Sequence, residues 1–293
     1  MNNLIIAITT LILSQLLYAQ NSEFELDFDK SLKTTESFSY EEKIAFYSNL
    51  FVGQNYLAGP LGEGIGAEFD ADPLYRFDVF DCTTYVETVL ALSLTQANKK
   101  EFETLINDIR YDTDINFVSR NHFISLDWIN DNKNILMDIT GTFTVPTNEA
   151  KANIQKTQWY KKMTLNQIQG FDISDRDREE KLKRLKEQSN YVDDEFSKIK
   201  YIEIKYAIKD EVLNQIPNGS IINIVRPNWN LEKYIGTNLN ISHQGFAIRI
   251  KDQVFFRHAS SNEGKVSDIL LKDYLKPYLG HSTIKGINIL ELY

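Results

Sequence analysis

An α+β fold is predicted for this 293-residue chain from three observations. Apolar residues recur at three- and four-residue steps through the first third, as in Phe102, Leu105, Ile106 and Ile109. In the last third they alternate or come in short bursts, as in Ile221-Ile222-Asn223-Ile224-Val225. Two bursts there, Gln244-Gly245-Phe246-Ala247-Ile248-Arg249-Ile250 and Gln253-Val254-Phe255-Phe256-Arg257, are separated by Lys251-Asp252, as in a hairpin. The first period lines one face of a helix and the second alternate faces of a strand. Helices followed by an antiparallel sheet make an α+β domain.

Taken in order, Met1 to Gln20 hold Leu4-Ile5-Ile6-Ala7-Ile8, Leu11-Ile12-Leu13 and Leu16-Leu17-Tyr18-Ala19. An apolar run of this length closed by a small residue reads as a secretory signal peptide cut after Ala19, and it is short for a spanning helix. Residues 1–19 are then a leader and 20–293 a single elaborated domain, with no membrane anchor after cleavage. Asn21 to Lys33 is polar and acidic and reads as a loose leader. Ser39-Tyr40-Glu41-Glu42 is a capping box opening a helix with Ile44, Phe46, Leu50 and Phe51 inward. Gly53 to Gly66 form a tight loop presenting Tyr56, without the spacing of a phosphate loop.

A helix runs from Cys82 to about Thr95, and another carries Phe102 to Ile109. Arg120-Asn121-His122-Phe123 to Trp128, and Met137 to Phe143, alternate too poorly for strands and suit a loop-borne binding surface. Residues around 150–200 are densely charged, with a helix over Ser174 to Gln188, and read as a peripheral insertion held by charge pairs along the helix. Tyr201 to Tyr206 and Ile221 to Val225 read as strands, Val266 to Tyr274 as a helix, and Ile287 to Leu292 as the closing strand.

Composition excludes some functions. With 32 basic and 41 acidic residues the net charge is −9, and no basic stretch offers a nucleic-acid footprint. Cys82 is the only cysteine, so no internal disulfide forms. An exported chain with one unpaired thiol directs attention to that thiol.

Cys82 follows Asp81, a preferred N-cap residue, so it falls in the first turn of its helix. Unpaired N–H groups and the positive dipole end favour a thiolate there and predict a lowered thiol pKa. Of the four histidines, His243 opens the first hairpin strand and His258 ends the second, and antiparallel pairing brings both to one end of the sheet. A helix-start thiol, a histidine base and a second histidine orienting it form the nucleophile, base and orienter of acyl transfer. A zinc site on the same residues is the rival, but the chain lacks the short Cys-x-x-Cys or His-x-x-x-His clips. No cofactor is expected.

Phe51-Val52-Gly53-Gln54-Asn55-Tyr56-Leu57-Ala58-Gly59, Phe80-Asp81-Cys82, Ser242-His243-Gln244-Gly245-Phe246-Ala247 and His258-Ala259-Ser260 resemble the NlpC/p60 papain-like cysteine hydrolases. With Arg120-Asn121-His122-Phe123 and Asp127-Trp128, the pattern looks like a remote branch of them, the N-acetylmuramoyl-L-alanine amidase-like family. The resemblance implies a papain-like fold and a bacterial periplasmic or secreted amidase. It would cut between the lactyl group of N-acetylmuramic acid and the first L-alanine of peptidoglycan fragments, favouring anhydromuropeptides in cell-wall recycling. It makes Cys82 the nucleophile, His243 the base, His258 the third member and Tyr56 an oxyanion donor beside the Cys82 N–H. Asp81, Arg120, His122, Asp127 and Trp128 are the implied substrate-side residues. Thr83-Thr84 replaces the Ser-Gly usual after the cysteine, and Asn55 stands where proline often precedes the tyrosine. The alternatives are a γ-D-glutamyl-diaminopimelate endopeptidase and a non-catalytic muropeptide-binding module.

Overall fold

The computed structural model describes residues 26–293, so the expected leader at 1–19 lies outside the described residues. Residues 28–35 are helical where a loose leader was expected, because Asp27 caps them, whereas the second helix stands where its capping box indicates. Asp27 caps α1 (Phe28–Thr35), and Ser39 and Glu42 exchange side-chain and backbone bonds as the capping box of α2 (Tyr40–Leu50). The glycine loop that follows yields a short strand, β1 (Asn55–Tyr56), paired in parallel with β2 (Val79–Phe80). Asp81 and Asn98 then cap α3 (Cys82–Leu94) and α4 (Lys99–Arg110).

The remaining strands are β3 (Leu136–Asp138), β4 (Thr147–Ile154), β5 (Glu195–Glu203), β6 (Ile221–Asn230), β7 (Asn238–Ile250), β8 (Gln253–Ser260), β9 (Lys265–Leu270) and β10 (Gly286–Leu292). They join β1 and β2 in one mixed sheet of order β2-β1-β9-β8-β7-β6-β10-β5-β4, with β3 also on β10. Period-two alternation divides each central strand between two cores. Phe246 and Ile248 of β7, Ala259 of β8 and Leu290 of β10 face the layer of α2, α3 and α4. Ala247, Phe256, Ile287 and Ile289 face the other side, which Leu271 and Leu275 of α7 (Leu271–Leu275) cover together with Ile204, Val212 and Ile216. Each such leucine, isoleucine, valine or phenylalanine side chain, once fully buried, contributes roughly 1.5–3 kcal/mol.

Several expectations are corrected. Residues 265–270 are a strand, because Ser267 and Asp268 take register opposite His258 and Arg257 of β8; helix begins only at Leu271. The strand expected over Tyr201 to Tyr206 instead covers Glu195–Glu203 and turns helical at Ile204. Residues 124–128 form a π-helical turn rather than an irregular loop. Within the charged region, β4 and β5 pair along their length, from Thr147↔Ile202 to Ile154↔Glu195, as the sheet edge. Only the chain between them leaves the sheet, as α5 (Lys156–Lys161) and α6 (Asp175–Glu187). These pack Tyr160, Met163, Ile168 and Leu185 on Phe69 and Phe117 in a small core of their own. No helix among the described residues is long and apolar enough to cross a membrane.

Candidate active site

Asp81 fixes the start of α3 with both carboxylate oxygens. Oδ1 accepts the Thr84 N–H at 2.8 Å and the Thr84 hydroxyl at 2.9 Å, while Thr84 Oγ1 accepts the Asp81 N–H at 3.0 Å. Oδ2 accepts the Gly59 N–H at 3.0 Å and ties the glycine loop to the helix start. Thr84 is thus the reciprocal half of the cap, which gives that sequence departure a structural role. Register does the rest, since Tyr56 pairs with Phe80 and so lies beside the Asp81-Cys82 turn.

Opposite that turn, β7 and β8 part. Their ladder runs from Ile250↔Gln253 to Phe246↔Arg257, and past it the strands are bridged by side chains: His243 Nε2 and His258 Nδ1 lie 2.6 Å apart, rings nearly perpendicular. Backbone N–H groups of a strand alternate between its two edges. Ala247 donates toward the β6 side, to Ser220, so the Gln244 N–H points to the β8 side, toward Cys82, whose thiolate it favours. The thiol carried at the start of α3 thus comes beside the backbone that bears His243, on the face of the sheet opposite the two imidazoles. Among the described residues, no three His, Cys, Asp or Glu side chains surround a common point as ligands of an ion would.

The electrostatics correct one expectation. Burial pushes the Cys82 thiol up to about 12, and the Asp81 charge adds to it, against the Gln244 N–H and the Thr83 hydroxyl and N–H. Loss of water outweighs the helix dipole, and the lowered thiol pKa expected from sequence is overturned. Burial, and then His258, pulls His243 down to about 3, and burial pulls His258 down to about 4. At neutral pH the site thus holds a thiol and two uncharged imidazoles, so the proton must leave sulfur as the sulfur attacks. Burial raises the Tyr56 pKa, the Cys82 and Asp81 charges add to it, and the phenol stays protonated.

His243 and His258 line a cavity of about 440 Å³ together with Ser242, Arg226, Trp229 and Tyr274. The segment from Arg120 to Trp128 does not border it. Arg120 Nε donates to Glu63 at 2.7 Å and its Nη2 reaches Asp70 at 3.0 Å. His122 Nε2 bonds the Phe117 carbonyl at 2.7 Å beneath Trp159, and burial lowers its pKa to about 3. Asp127 pairs with Lys156 at 3.0 Å. Trp128 is 0% exposed and donates its indole N–H to the buried Glu87 at 3.1 Å, so it offers a substrate no surface. Three contributors escaped sequence reasoning. Gly245 lies where a Cβ would meet His258 Cβ, Tyr274 has its ring 5.4 Å from that of His258, and the Gln244 N–H is backbone. Only Gly245 carried a signal, as part of the His243 motif.

A family model described as N-acetylmuramoyl-L-alanine amidase-like matches residues 46–281. A Legionella pneumophila protein assigned to the DUF1460 family model is 38% identical, with 90% of this chain and 93% of that one covered at a TM-score of 0.86. An N-acetylmuramoyl-L-alanine amidase from Bacteroides uniformis is 23% identical, with 86% and 98% covered at a TM-score of 0.62, a likeness of fold. No curated protein sequence matches the chain.

Proposed function

Because this chain belongs to the N-acetylmuramoyl-L-alanine amidase-like family, we propose that it is a cysteine-dependent amidase releasing the stem peptide from muropeptides. The observation that carries the reading is the 2.6 Å contact of His243 with His258, with the sole cysteine at a helix start beside the Gln244 backbone next to His243. If His243 Nε2–H donates to His258 Nδ1, the other nitrogen of His243, Nδ1, is left as a base. It takes the Cys82 proton as sulfur attacks the lactyl carbonyl. The Cys82 N–H and the Tyr56 hydroxyl, which has no protein partner among the described residues, meet the developing oxyanion; such donors contribute roughly 10²–10³-fold each. The C–N bond breaks as His243 returns the proton to the leaving amine. Water, deprotonated by His243, then cleaves the thioester, the thiol is restored and the sugar leaves with a free lactyl carboxylate.

The reading extends to an NlpC/p60 papain-like fold, supported by the order of helix-start cysteine, strand histidine and next-strand histidine. It also extends to peptidoglycan-derived substrates met outside the cytoplasm, in the periplasm or after secretion. The test is Cys82→Ala, which should lose on the order of 10⁴-fold or more in hydrolysis while the fold persists. Mass analysis of the wild-type digest should give free sugar and an intact stem peptide. A shortened peptide still on its sugar would mean the γ-D-glutamyl-diaminopimelate endopeptidase instead, and an active Cys82→Ala would refute the thioester.

A further inference from the structure

The cavity beside the two imidazoles is lined by an arginine with no ion-pair partner among the described residues. β6 advances four residues, Val225 to Trp229, while β7 advances two, Ile241 to Leu239, so β6 bulges. Asn228 takes φ 47° there, its N–H donated to Asn240 Oδ1 at 3.1 Å. The bulge stacks the Arg226 guanidinium on the Trp229 ring, 3.5 Å from its centroid. Nε and Nη2 both donate to Thr283 Oγ1, at 3.1 and 2.7 Å. Among the described residues no carboxylate pairs with Arg226, and it is the one lysine or arginine on the cavity lining, which otherwise carries Glu263 and Asp273. A half-buried guanidinium, held in one plane with unused donors, suits a carboxylate supplied from outside.

Direction identifies which part of the substrate supplies it. The acid that protonates the leaving amine must stand on the leaving-group side; His243 lines this cavity while Cys82 and Tyr56 do not, so the cavity extends from the acid rather than from the nucleophile. Ile224 is the register partner of His243, and Arg226 follows it by two residues, a spacing of about 7 Å along a strand. An extended peptide covers that distance in about two residues. We propose that Arg226, clamped on Trp229, is a specificity residue that reads a free carboxylate on the second residue of the leaving peptide. This rests on the amidase reading above.

The test uses two anhydromuropeptides that differ only in a carboxylate or a carboxamide at the second peptide residue, hydrolysed by wild type and by Arg226→Met. Wild type should favour the carboxylate by about ten- to a hundred-fold in kcat/KM, the reach of one charge-assisted hydrogen-bonding group. In Arg226→Met the ratio should collapse toward one, and Arg226→Lys should recover part of it. A ratio equal in wild type and Arg226→Met overturns the proposal and assigns the arginine to packing or to another anion. If wild type cuts neither substrate, the amidase reading has failed, and calorimetry with the two free stem peptides decides the subsite alone. Tighter binding of the carboxylate peptide that Arg226→Met abolishes sustains it, and equal Kd values overturn it.

Discussion

Replacing Gly245 with alanine should separate the two imidazoles while leaving both rings chemically intact. A Cβ at Gly245 would lie 2.7 Å from each of the Arg257 carbonyl oxygen, His258 Cβ and Phe256 Cε2. Carbon contacts are comfortable at about 3.5–4.0 Å, so β7 and β8 must open by about 1 Å. The His243–His258 contact, now 2.6 Å, would lengthen to about 3.6 Å and cease to be a hydrogen bond. Inserting one carbon into a packed site costs about 1–3 kcal/mol of stability. Misplacing a catalytic group by about 1 Å costs on the order of 10²-fold in rate. Thermal unfolding should register the first, and steady-state hydrolysis of a muropeptide, run well below the melt, the second: kcat falls about 10²-fold with KM little changed. Wild-type kcat in a folded Gly245→Ala protein would show that the imidazole contact is not needed for turnover.

Two further outcomes follow from the electrostatics. A thiol held at about 12 is disfavoured as thiolate, so iodoacetamide labelling of Cys82 should climb about tenfold per pH unit beyond pH 9 rather than level off near the ordinary thiol pKa of about 8.5. Asp81→Asn keeps an oxygen for the cap and removes the second cause of that rise, so its labelling at pH 9 should be faster; a plateau near 8.5 in wild type would disprove the burial argument. Trp128→Phe leaves the Glu87 carboxylate short of a donor and should cost about 1–3 kcal/mol in denaturant unfolding with KM unchanged. A raised KM with unaltered stability would return Trp128 to the substrate surface.

The local signals were the most legible. The Ser39 box, the Asp81 cap, the Ser174 start of α6 and the Lys251-Asp252 hairpin each depend on neighbours a few positions apart, and each stands where the residues indicate. Lys265–Leu270 misled because its apolar spacing fits a helix or an edge strand, and pairing with β8 decides between them. Arg120 and Trp128 misled for a different reason. Arginine and tryptophan are common on binding surfaces, but here Glu63, Asp70 and Glu87 satisfy them from within, and those acids come from distant parts of the chain.

The sequence by itself determined that a lone cysteine begins a helix and that two histidines come to the same end of a hairpin, because capping, periodicity and antiparallel direction are short-range rules. The end of the β7–β8 ladder at Phe246, the approach of Cys82 to the Gln244 backbone, the rise of the thiol pKa and the bulge at Arg226 were decided by tertiary structure. Desolvation and register belong to the packed whole: Cys82 loses part of its water only when helix and sheet close on each other, and a strand bulges only against a partner strand.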